Sequence, residues 1–134
     1  MRRASREYVF KLVFEFGFYG ERHNDTLELM LADSDLTDED RAYIRSTYAG
    51  VTSQADSLKA RIAEKLERYT VDRVYRPDLT VLMIALYEMD NGTPAKIAIN
   101  EAVDLAKKYG TEKSGAFVNG VLAKFVPAAD AHEA

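Results

Sequence analysis

The sequence predicts an all-α fold of about seven helices, set out as two small helical subdomains sharing a hub over residues 78–90. Three observations carry this. Apolar residues return every three or four positions in nearly every stretch, strand-like alternation is almost absent, and breakers and capping residues punctuate the chain at helical lengths. At 134 residues, 47% hydrophobic and 30% charged, the composition is that of a globular chain able to bury a sizeable core. The expected division is a single domain over 1–127 and a frayed, alanine- and acid-rich tail over 128–134.

A first helix is expected over about Ala4–Tyr19, with Tyr8, Val9, Leu12, Val13 and Phe16 on one face. Arg2, Arg3 and Arg6 crowd its start. Positive charge there opposes the helix dipole, and such a local conflict points to an outside partner. A secretory signal is not expected, because Lys11 and Glu15 interrupt the apolar run and no small-residue cleavage site follows. Gly17, Gly20 and the polar residues after them make a loop, and Asp25 is placed to cap a short helix through Leu31.

Thr37, with Asp40 three residues on, signals the next start. From Ile44 through Tyr48, Val51, Ala55, Leu58, Ile62, Leu66 and Tyr69 the spacing is helical. It describes one long helix or two nearly collinear ones, with the bend expected at Gly50. Pro77 suits the first position of the following helix and Asp78 its first turn. The stretch DLTVLMIALYEM is apolar almost all round, which marks a buried hub. It is too short and too closely flanked by charge to cross a membrane.

Asn91-Gly92-Thr93-Pro94 ends the hub. Ile99, Ala102, Val103 and Ala106 then define an amphipathic helix with Lys107 and Lys108 in its last turn and Gly110 as an expected left-handed cap. Ser114 is the expected N-cap of a final helix carrying Phe117, Val118, Val121, Leu122 and Phe125.

Net charge is −4, but its distribution is uneven. Residues 1–11 carry four basic residues against one acid, and residues 20–40 carry one arginine against eight acids. A basic end can meet phosphate even on an acidic chain. The acidic segment reads as a solvated face. With no cysteine, and with only His23 and His132 far apart in sequence, disulfides are excluded and metal binding has little to stand on. Gly115 to Gly120 lacks the lysine and hydroxyl of a phosphate loop, and no nucleophile–base set can be assembled, so no catalysis and no cofactor are expected.

The segments RRASREYVFKLVF, DLTVLMIALYEM, AINEAVDLAKKYG and SGAFVNGVL, in that order, resemble the NusB family of bacterial transcription antitermination factors. The resemblance is weakest between about Gly20 and Tyr69. It implies an all-helical RNA-binding fold, a cytoplasmic location, recognition of boxA-type single-stranded RNA, and pairing with the small-subunit ribosomal protein NusE. It also implies an indirect link to the transcription elongation complex.

Carried over residue by residue, the resemblance places RNA contacts at Arg2, Arg3, Arg6, Lys113 and Phe117. It places partner contacts at Phe14 and Asp78. Phe14 stands where tyrosine is often found, and Met83 where family members commonly carry a basic residue. By spacing alone Phe117 belongs to the apolar stripe, and Asp78 is a favourable helix-start charge, so both readings stay open. Two other functions fit the residues. One is a helical protein-binding adaptor, self-associating as a homodimer, whose arginines are incidental. The other is the RNA-anchoring domain of a ribosomal RNA methyltransferase.

Overall fold

The computed structural model describes residues 2–127, the side chain of Arg2 excepted. The expected tail at 128–134, with His132, lies outside the described residues. Seven α-helices follow one another: α1 (Arg2–Tyr19), α2 (Asn24–Leu31), α3 (Asp38–Ser53), α4 (Ala55–Glu64), α5 (Arg76–Asp90), α6 (Ala95–Tyr109) and α7 (Ser114–Ala123). A single 3-10 turn covers Val71–Arg73, and no strand occurs among the described residues. The chain divides into two compact units after Gln54.

In the first unit α1 packs on α3 and α2. Val9, Phe10, Leu12 and Val13 of α1, Leu27 and Leu31 of α2, and Ile44, Tyr48 and Val51 of α3 are all buried. Each side chain of this size contributes about 1.5–3 kcal/mol when fully buried. Gly17 lies inside α1, and the turn comes at Gly20, whose φ of +79° is one that L side chains rarely adopt. The start of α2 is not capped by Asp25; the helix begins at Asn24, with His23 at the cap position making no side-chain capping bond.

Thr37 performs as expected. It accepts from the Asp40 amide at 3.0 Å while the Asp40 carboxylate accepts from the Thr37 amide at 3.0 Å, a capping box of about 1 kcal/mol.

Six of the eight acids of the 20–40 segment are exposed, as a solvated face requires, but Asp33 and Glu28 also make bonds between helices. Asp33 accepts from the Tyr8 hydroxyl of α1, and that bond holds the Asp33 carboxyl below and the Tyr8 phenol above their ordinary ranges. Glu28 takes Arg45 in a fork at 2.9 and 3.3 Å. Arg41 donates to the carbonyls of Leu31 and Asp33 at 2.9 and 3.0 Å, covering the carbonyl end of α2.

The helix break expected at Gly50 comes four residues later, at Gln54. The physical cause lies in the hydroxyls before it. Thr52 donates back to the Tyr48 carbonyl at 2.6 Å and Ser53 to the Gly50 carbonyl at 3.1 Å, side-chain bonds that compete with the helical ladder.

In the second unit α5 is the hub, packed against α4, α6 and α7. Val81, Leu82, Met83, Ile84, Ala85 and Leu86 are buried in sequence, as a helix apolar on all sides requires. Met83 is 4% exposed, so the position where the resemblance implies a basic residue is core here. The helix begins at Arg76, with Pro77 in its first turn. A forked pair between Arg61 and Asp90, at 2.6 and 3.2 Å, ties α4 to the end of α5. The apolar series drawn through Leu66 to Tyr69 overruns the helix, which ends at Glu64. Beyond it the Lys65 carbonyl is taken by the Lys124 ammonium at 2.9 Å.

Candidate nucleic-acid interface

The corner between α6 and α7 is built on a hydroxyl. Ser114 does not cap α7; it is the helix's first residue, and Lys113 precedes it. Its Oγ instead accepts from the Thr111 amide at 2.8 Å, closing the turn from within. Gly110 is not left-handed either, with φ −101° and ψ −153°. Glycine is required there for space, because a Cβ would lie 2.3 Å from Ser114 Oγ and 2.7 Å from the Ala106 carbonyl oxygen. The turn sets Lys113 exposed at the start of α7 and Phe117, one turn on, half-buried. The Phe117 ring stacks on Tyr69 with centroids 6.1 Å apart and planes at 19°.

Asp78, in the first turn of α5, is 6% exposed. Burial pushes its carboxyl above the ordinary range, and the Ser114 hydroxyl beside it pulls partly the other way. Its Oδ1 is buried with no hydrogen-bond partner among the described residues. A side chain so enclosed offers no surface to a partner in this conformation. It acts as an anchor between the start of α5 and the α6–α7 corner.

The raised pKa has a checkable consequence. The folded state holds this proton more tightly than the unfolded chain, so the Asp78 contribution to stability falls as pH rises from the ordinary carboxylate range through the raised value. Asp78→Asn, which has no proton to lose, should therefore gain stability relative to the parent as pH rises through the raised value. The gain should close as pH drops below the ordinary carboxylate range. Paired thermal melts across that range check it.

In the first unit, Arg3 is exposed on the first turn of α1, and Arg2 lies outside the described side chains. Arg6 is 7% exposed with its guanidinium 5.9 Å from the centre of the Tyr43 ring, a cation–π contact that packs its stem. Phe14 is half-buried and stacked on Phe10 at 5.9 Å. The basic N-terminal helix therefore presents Arg3 to solvent, while Arg6 is drawn against the protein.

Sequence reasoning missed Tyr69 as the platform under Phe117. Its helical spacing made it look like core, yet it is 40% exposed. Among the described residues no group of acids and histidines could hold a metal ion, and no helix is long and apolar enough to cross a membrane.

Residues 3–127 match the NusB family. The chain belongs to the NusB family. A curated relative, the transcription antitermination protein NusB of Agathobacter rectalis, is 41% identical over 92% of this chain and 98% of its own length. T. maritima NusB superposes with a TM-score of 0.82 at 29% identity, covering all of this chain and 98% of that one. A crystal structure of the antitermination factors NusB and NusE in complex with double-stranded RNA matches with a TM-score of 0.80 at 21% identity, covering 92% and 93% of the two chains. At that identity it speaks for the NusB fold alone.

Proposed function

We propose that this chain is an RNA-binding transcription antitermination factor. It takes boxA-type single-stranded RNA together with the ribosomal protein NusE, works in the cytoplasm, and uses its described residues as one domain. The observation that carries the reading is the α6–α7 corner. An exposed lysine stands beside a half-buried phenylalanine on a turn locked by Ser114, which suits one phosphate and one unstacked base. Family membership and the Agathobacter rectalis relative support it. The work is binding, with no chemical step: Lys113 neutralises a phosphate, Phe117 stacks on a base, and Arg3 supplies a further phosphate contact.

This footprint is sparse for affinity on an acidic chain, so RNA binds weakly alone and more tightly when NusE is present. Coupling of this kind is reciprocal and ordinarily about 1–3 kcal/mol. Titration of boxA-type RNA and a scrambled control, with and without saturating NusE, tests it. Equal affinities for the two RNAs in both titrations would overturn the reading.

The adaptor alternative has one observation in its favour. Phe18 and Tyr19 at the end of α1 are 65% and 63% exposed, in edge contact at 5.5 Å. NusE capture with no RNA binding in either titration would favour it.

A further inference from the structure

We infer that a cleft of about 410 Å³ between residues 65–69 and α7 is a second base-binding slot for single-stranded RNA, in which an unpaired base lies over Gly120 against the Tyr69–Phe117 pair. The inference rests on the RNA-binding reading above and adds a subsite to it.

The segment 65–69 is tied to α7 at two points. At one, Tyr69 stacks on Phe117. At the other, the Lys124 ammonium reaches the Lys65 carbonyl at 2.9 Å and the Glu67 carboxylate at 3.0 Å. Residues 117 and 124 stand two helical turns apart, about 10 Å along the axis. Between them, on the same side, the helix carries Gly120. A glycine inside a helix weakens it. No close packing demands one here, since a Cβ added at Gly120 would meet nothing within 4 Å. What the glycine supplies is an open floor between two ties.

The walls select the occupant. The Tyr69–Phe117 pair offers an aromatic surface, with Tyr69 40% exposed, and aromatic surfaces accept any base by stacking. The rim carries Lys65, Arg68 and Lys124 against Glu67. Lys124 and Glu67 are paired with each other and the Lys65 ammonium lies over the Phe125 ring at 5.6 Å, so the rim is net positive with Arg68 exposed on it. Aromatic walls with a cationic rim fit a nucleotide, base inward and phosphate outward. An apolar peptide side chain would leave those cations unused. The volume lies within the range of small-ligand sites.

The experiment fills the slot without disturbing the fold. Leucine is a better helix former than glycine, so Gly120→Leu should melt at or above the parent temperature. Its affinity for boxA-type RNA should fall about tenfold, whereas Gly120→Ala, which fits the space, should bind like the parent. Tyr69→Ala should lose a similar factor, and Tyr69→Trp should restore it. With 2-aminopurine substituted singly along the RNA, one position should be quenched by the parent and released by Gly120→Leu.

Parent-like affinity and quenching in Gly120→Leu would overturn the slot while leaving the RNA-binding reading intact. A parent protein that binds no RNA at all, with or without NusE, would overturn both. Loss of NusE binding in Gly120→Leu with RNA affinity unchanged would assign the cleft to protein and overturn the inference.

Discussion

Gly110→Ala should destabilise the protein by about 3 kcal/mol, the upper end of what overpacking ordinarily costs. The backbone at Gly110 is extended, a conformation alanine adopts without strain, so the penalty is steric. The new methyl would lie 2.3 Å from Ser114 Oγ, 2.7 Å from Ser114 Cβ and 2.7 Å from the Ala106 carbonyl oxygen. None of these can step aside cheaply. Ser114 is 1% exposed and its hydroxyl holds the Thr111 amide at 2.8 Å. The Ala106 carbonyl accepts from the Gly110 amide itself at 2.8 Å. Relief requires moving the start of α7 away from α6, which opens the most extensive helix pair of the second unit. Chemical denaturation should show a lower midpoint with an unchanged slope. A loss below about 1 kcal/mol would mean that the corner relaxes and that Ser114 is not its lock.

That corner also shows where sequence reasoning stops. Helix type and order were legible because the long segments other than the hub have a 3.6-residue apolar period, and the Thr37–Asp40 box was legible because its bonds are local. The hub was legible from its unbroken apolar run. Features fixed by tertiary neighbours were not. Gly110 and Ser114 carry the right residue types for a left-handed cap and an N-cap, but each is used for a contact with the other. Gly50 is intrinsically the weakest helix former in its segment, yet the break falls where Thr52 and Ser53 compete for backbone carbonyls.

The candidate site divides in the same way. Lys113 and Phe117 lie at one corner, as adjacency in sequence required. The burial of Arg6 against Tyr43, the enclosure of Asp78 and the Tyr69 platform all depend on residues distant in the chain, and periodicity alone could not supply them.

The combined variant Lys113→Ala and Phe117→Ala should weaken RNA binding by roughly 2–4 kcal/mol, the largest functional effect expected from two side chains of this protein. Base–aromatic stacking accounts for about 1–3 kcal/mol of that, and the lost phosphate contact for the rest. The two parts are separable by salt. Removing Lys113 should lower the magnitude of the log–log salt slope by about 0.7, the share of one phosphate on a single strand, while removing Phe117 alone should leave the slope unchanged. Stability should respond far less. Phe117 is half-buried and its main aromatic neighbour is the partly exposed Tyr69, so its truncation should cost about 1–2 kcal/mol rather than the 3–5 of an enclosed core phenylalanine. Lys113 is exposed, and what it gives the turn is its backbone amide, donated to Thr111 Oγ1 at 3.2 Å, which alanine retains. RNA titrations at several salt concentrations, paired with denaturation of the same variants, read both quantities. A double variant that keeps parental RNA affinity would remove the α6–α7 corner from the RNA path. One that loses as much folding free energy as binding free energy would return Phe117 to the core.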